Sequence, residues 1–258
     1  MISAQAELYM NKKISGIAFI LSIFASSCSS LYMPNVPNTP MLTEKGELHA
    51  SGNISLKGNA SLNTAYAISD NFAVILNGAF INRDQNRKDY RQNMLEVGGG
   101  YFSTFGPENN RILEIYGGFG RGKSERIFND LASSGMVINY DRQEMTFSKG
   151  FLQVNYSSKK EKGLRLFGKN FPLNYGTAIR GSYLNMKSFK INGVSQRKED
   201  NIFIEPIFFT RMRLSDAVQL QYTTGSNFGL KNRKFLTAGN SVFSLGFVVN
   251  VGGMVSGR

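Results

Sequence analysis

From Gly46 to Val251 the chain alternates apolar and polar residues with a period of two. That rhythm fits strands whose two faces meet different surroundings. In the first stretch, 47–57, Leu48, Ala50, Gly52, Ile54 and Leu56 share one face, and His49, Ser51, Asn53 and Ser55 share the other. The clearest stretch is 218–224, where Val218, Leu220 and Tyr222 alternate with Gln219, Gln221 and Thr223. The last, 243–251, is nearly as regular. Seven more fall at 60–69, 72–82, 94–105, 111–123, 144–156, 177–191 and 202–214, for ten strands in all. A helical turn or two is expected only near 125–132.

Connection lengths alternate as well. Short turns at 69–71, 106–110 and 215–217 interleave with long polar connections at 83–93, 124–142, 192–201 and 231–240. Short turns on one end and long loops on the other characterise up-and-down barrels that cross an outer membrane. Two connections break the pattern, the short one at 57–59 and the long one at 157–175, so the expected count is 8–12 strands. The fold expected is all-β, a single antiparallel up-and-down barrel of transmembrane type.

The N-terminus reads as an export signal. Lys12 and Lys13 precede an apolar run, 14–25, which is too short to span a bilayer permanently and is followed by the single cysteine, Cys28. Met10 opens a more compact signal than Met1. Residues 1–27 are read as the signal peptide and Cys28 as a lipid-attachment site. Residues 28–45, with Pro34, Pro37 and Pro40, are read as an extended tether on the periplasmic side. Residues 46–252 form the barrel and 253–258 a tail. Removing the signal takes away Lys12, Lys13 and Glu7, leaving 28 basic against 17 acidic residues, a charge of +11. The balance favours anionic partners, and an exported address makes phosphate-bearing glycolipid a better fit than nucleic acid.

A soluble calyx and a membrane barrel give the same alternation, with opposite faces turned inward. Charges at strand centres and the long hydrophilic loops tilt the reading toward a membrane. Glu96, Glu114 and Glu205 are then expected to meet Lys149, Arg180 and Arg211 in an interior network. Tyr66, Phe72, Tyr101, Phe105, Tyr156, Tyr183 and Tyr222, near strand ends, suit interfacial girdles. Three loops carry cations suited to anion binding: Arg83, Arg87, Lys88 and Arg91; Arg197 and Lys198; Lys231, Arg233 and Lys234.

The runs Tyr32-Met33-Pro34, Thr39-Pro40-Met41-Leu42, Glu44-Lys45-Gly46-Glu47 and 65–71 together resemble the start of Gram-negative outer-membrane β-barrel lipoproteins. The closing stretch 244–251 is similar to the C-terminal signal read by the barrel-assembly machinery, although no aromatic residue ends it. The resemblance implies a fold, an outer-membrane address and that machinery as a partner in insertion, and it implies no activity.

Catalytic signals are sparse. His49 is the only histidine, so a triad would have to join it to Asp70 or Ser51, and an ordinary barrel histidine explains it better. No acidic cluster has calcium-loop spacing. The string Gly118-Phe119-Gly120-Arg121-Gly122 lacks the helix a phosphate loop requires. No enzyme and no cofactor are expected. A structural or surface-binding barrel, a lipid-anchored periplasmic calyx holding an apolar ligand, and a narrow pore remain open, and the inward face of 218–224 decides among the first two.

Overall fold

The computed structural model describes residues 30–84, 88–131, 137–166, 168–237 and 242–252. The signal segment, Cys28, Arg87 and the tail 253–258 lie outside them.

Ten strands close into one antiparallel wall: β1 (Leu48–Ser55), β2 (Asn59–Ala67), β3 (Phe72–Arg83), β4 (Lys88–Phe105), β5 (Arg111–Leu131), β6 (Val137–Leu166), β7 (Lys169–Ile191), β9 (Asp200–Arg213), β10 (Val218–Gly225) and β12 (Val242–Val251). Two-residue strands β8 (Val194–Ser195) and β11 (Phe228–Gly229) extend the pairing at the rim. Neighbours in sequence pair in space, β7 joins β9, and β12 pairs with β1, so no edge is left open. Among the described residues the one helical piece is a single turn at Pro107–Asn109.

The connections 68–71, 106–110, 167–168 and 214–217 lie at one end of the wall, here the turn end. The other end, the loop end, carries the remaining connections, the longest being 226–241. Much of what reads as polar loop is strand. The β3–β4 ladder runs to Arg83 opposite Tyr90, and β5–β6 pairing continues to Leu131 opposite Val137. Of the helical turn expected at 125–132, residues 125–131 are therefore β5, and 132 lies outside the described residues. The long stretch 157–175 is the β6–β7 ribbon prolonged past the turn end, with a register shift between Lys159 and Gly163. Ladder hydrogen bonds need no apolar face, so strands outlast the hydrophobic signal that reveals them.

The polarity is that of a membrane barrel. Gln219, Gln221 and Thr223 point inward and are buried, whereas Tyr222 is 44% exposed on the outside. A calyx needs the reverse, and that expectation fails. Outward apolar residues form a band, from Phe72 to Phe80 on β3 and from Phe105 to Leu95 on β4. Strands of about 9–11 residues at about 45° cross a bilayer. Tyr66, Phe72, Tyr101, Phe105 and Tyr156 ring the turn-end edge, with Phe72 and Tyr101 edge to face at 5.6 Å. Toward the loops the outward residues turn polar: Arg91, Arg121, Lys123 and Arg142.

Inside, β4 and β5 are bare at Gly98, Gly100 and Gly118. A Cβ on Gly118 would lie 2.7 Å from Cζ of Phe151, whose ring occupies the space. Gly118→Val should therefore lower the temperature of heat-modifiable gel migration, with a cost of about 1–3 kcal/mol from overpacking. Unchanged melting would show that the wall has room there.

The largest departure from expectation is at the N-terminus. Residues 30–42 do not form an external tether; they run through the barrel. The N–H of Leu31 donates to the carbonyl of Phe235 in the 226–241 connection, at the loop end. Leu42 packs against Ala65, Ala67 and Ala73 at the turn end, and the chain then turns through Thr43–Glu47 into β1. The segment carries no charged residue between Leu31 and Leu42, and six of its residues are large and apolar or aromatic, which suits burial.

Candidate functional site

The lumen is a site built by two partners, the wall and the segment that fills it. Gln92, near the loop end of β4, grips Met33, accepting its N–H at 2.9 Å and donating to its carbonyl at 2.6 Å. The carboxylate of Glu114, opposite Phe102 near the turn end, accepts the N–H groups of Met41 at 3.0 Å and Leu42 at 3.3 Å. From Gln92 to Phe102 is about 33 Å of strand, or about 25 Å along the axis at a tilt near 40°. The nine steps from Met33 to Leu42, at about 3.1 Å each, cover about 28 Å. The segment thus crosses the full barrel.

Wall side chains take over the role of a neighbouring strand. The carbonyl of Leu31 accepts from Tyr90 and Ser124, that of Pro34 from Asn59, and that of Val36 from Asn63. Gln153 and Asn155 both donate to the carbonyl of Asn38. Arg211 donates to the carbonyls of Thr39 and Pro40 and to Gln221. A buried carbonyl left unmet costs about 1–3 kcal/mol. The prolines solve the complementary problem: Pro34, Pro37 and Pro40 have no N–H to satisfy. Met41 adopts a φ of 64°, a left-handed conformation costly for a side-chain-bearing residue, and Glu114 holds it from both adjacent amides.

Halfway down lies the charge cluster. Lys149 Nζ sits 2.8 Å from Glu96 and 3.9 Å from Glu205; Arg180 sits 2.5 Å from Glu205 and 3.5 Å from Glu96. All four are buried, and their charges cancel. The plug is tied into this cluster. Asn35 donates to Glu96 at 3.0 Å and accepts from Arg180 at 2.9 Å through both its side chain and its carbonyl. Tyr32 donates its hydroxyl to Glu205 at 3.2 Å. Of the six charged residues expected to form one network, four meet here. Glu114 and Arg211 stand apart and bind the plug directly, the carboxylate taking its donors and the guanidinium its acceptors.

The basic loops do not converge. Lys231 and Arg233 clasp Asp200 at 2.5 and 2.7 Å, and Glu199 accepts the N–H groups of Lys234, Phe235 and Leu236. Arg91 lies 3.5 Å from Asp84 on the outside, whereas Arg83 and Lys88 face the mouth. Arg197, Lys198 and Lys234 are exposed. At this rim, beyond the apolar band, hydrogen bonds from Lys231 and then Arg233 hold the Asp200 carboxyl down at about 2. A depressed carboxylate contributes stability above the ordinary range, about 4, and loses it as pH falls toward 2. Protection of the 231–236 amides, taken relative to the intrinsic exchange rate at each pH, should therefore stay high at pH 5 and fall below pH 3; protection that does not change with pH would exclude the clasp.

His49 is buried, with Nδ1 2.8 Å from Asn250 Oδ1, and its hydrogen-bonded neighbour is thus neither Asp70 nor Ser51. No group of metal-binding side chains occurs among the described residues.

No family model matches the sequence, and no curated protein matches it. Among solved structures, the chain is similar to the translocator domain of the autotransporter NalP from Neisseria meningitidis, at 13% identity and a TM-score of 0.48, over 79% of this chain and 85% of that one.

The plug contacts are what sequence reasoning missed. The missed signal was a proline at every third position in a segment without charge, facing strands whose inward residues are Asn and Gln.

Proposed function

We propose that this chain is an outer-membrane barrel lipoprotein closed by its own N-terminal segment, with a structural or surface-binding role at the cell surface. The observation that carries the reading is the packed lumen: Gln92, Glu96, Arg180, Gln153 and Arg211 are each no more than 1% exposed. A barrel so filled favours a closed wall over a solute pore. Exposed Arg197, Lys198 and Lys234 are suited to contact lipopolysaccharide phosphates, as a solvated loop face with unshared positive charge. Export through residues 1–27, lipid attachment at Cys28 and insertion by the barrel-assembly machinery belong to the same reading.

The purified protein should fractionate with the outer membrane and leave a planar bilayer silent. Recovery in the soluble fraction, or steady conductance, would sink the proposal. The direction of threading adds a second expected result. Because Ser30 and Leu31 lie at the loop end, an epitope placed after Ser29 should be labelled on intact cells, as one in 192–199 would be. An epitope after Gly252 should need permeabilised cells. Labelling of the first epitope together with the last would overturn the sidedness.

A further inference from the structure

The outer wall carries a groove that the barrel itself does not require. One cross-strand row runs Phe247, Gly52, Leu62, Gly78, Leu95 and Arg121, from β12 through β1 to β5. The next row toward the loops runs Ile54, Ala60, Phe80, Asn93 and Lys123. Between them lies a groove of about 910 Å³. It exists because Gly52, Gly78 and Ala60 stand where their neighbours carry Leu, Ile and Phe.

These glycines differ from those of the inner wall. A Cβ on Gly118 would collide with Phe151, but a Cβ on Gly52 or Gly78 would meet nothing within 4 Å. Packing within the chain does not ask for glycine there. Glycine weakens a strand, and a strand glycine facing open space marks the close approach of something else.

Direction and charge say what approaches. Five strand spacings of about 4.8 Å make the first row about 24 Å long. With strands tilted about 40°, it climbs about 15 Å, the hydrocarbon depth of one leaflet. Its lower end, Phe247, is in the apolar band; its upper end, Arg121, lies just beyond Phe119, the last fully exposed apolar side chain described on β5 before the loops, Ile127 above it being only part-exposed. Among the described residues neither Arg121 nor Lys123 has an ion-pair partner, because Arg142 engages the carboxylates above them, Glu125 at 2.6 Å and Glu144 at 3.1 Å.

We propose that this groove binds one lipid A molecule of the loop-side leaflet, an acyl chain lying along Gly52 and Gly78 and a phosphate held by Arg121 and Lys123. The proposal rests on the outer-membrane reading above, and places the contact on the wall instead of the loops.

Native mass spectrometry of the full chain in detergent, titrated with lipid A, tests it, with heat-modifiable migration confirming that each variant is folded. One lipid A should be retained. Arg121→Gln with Lys123→Gln should weaken binding at least about tenfold, since hydrogen bonds to a charged phosphate are lost. Gly78→Leu, or Ala60→Phe should the first fail to fold, should weaken it comparably by filling the groove with both cations intact. Binding unchanged in these variants overturns the groove. Equal retention of dephosphorylated lipid A overturns the phosphate contact. Loss in Arg197→Gln with Lys198→Gln alone overturns the groove and leaves the surface-contact reading standing.

Discussion

Deleting Leu31–Leu42, with the turn Thr43–Glu47 and all ten wall strands retained, is expected to convert a silent barrel into one with discrete conductance steps in a planar bilayer. The segment is the material that excludes water from the axis, and what it leaves behind is a ring of Asn, Gln, Arg and Glu side chains that water can satisfy. Adding a synthetic peptide of residues 30–43 on the loop side should close the steps again, because the wall reads chiefly backbone carbonyls. Loss of heat-modifiable migration would identify misfolding instead of opening. A folded, deleted barrel that stays silent would show that the wall collapses inward, and the plug would then be filler without a gating consequence.

Arg180→Ala should be the most damaging single substitution, at about 3–5 kcal/mol, the range for breaking a buried ion pair from one side. It leaves Glu96 and Glu205 facing Lys149 alone and strips the carbonyl and the side-chain oxygen of Asn35 of their donor. Arg180→Met with Glu205→Gln removes one charge of each sign and should cost less than Arg180→Ala by itself, although it deletes more. The contrast separates uncompensated charge from lost contact. A double-mutant cycle of Arg180→Ala with Asn35→Ala should show coupling of about 0.5–3 kcal/mol. Additive effects would mean that plug and cluster are energetically independent. The midpoint of the gel-migration transition against temperature or urea reads all of these.

Much of the wall is legible in the chain because strand alternation is a local property. Leu48 to Ser55 and Val218 to Thr224 display their two faces regardless of what they join. The ends are less legible. Beyond Asn93 and Lys123 polar residues dominate both faces, with Ile127 and Phe128 adjacent and so on opposite sides, and the alternation fades while ladder pairing persists to Tyr90 and Phe128. Opposite charges at strand centres announce that they need partners, and Glu96, Lys149, Arg180 and Glu205 find one another. Glu114 and Arg211 look identical in sequence, yet they meet backbone. Nothing local distinguishes a carboxylate awaiting a cation from one awaiting two amides.

By itself the sequence determined a run of two-faced strands, about ten of them, and most of their alternating turns, each set by neighbours within a dozen residues, together with a basic balance of charge. Only the tertiary structure decided which face is inside and where the N-terminal segment goes. Both depend on closure: until β12 meets β1 there is no lumen, and an uncharged, proline-spaced segment reads as a tether for want of the polar walls that would enclose it. Those walls supply the donors for its carbonyls, and this makes the interior of the barrel a better solvent for residues 31–42 than water or lipid.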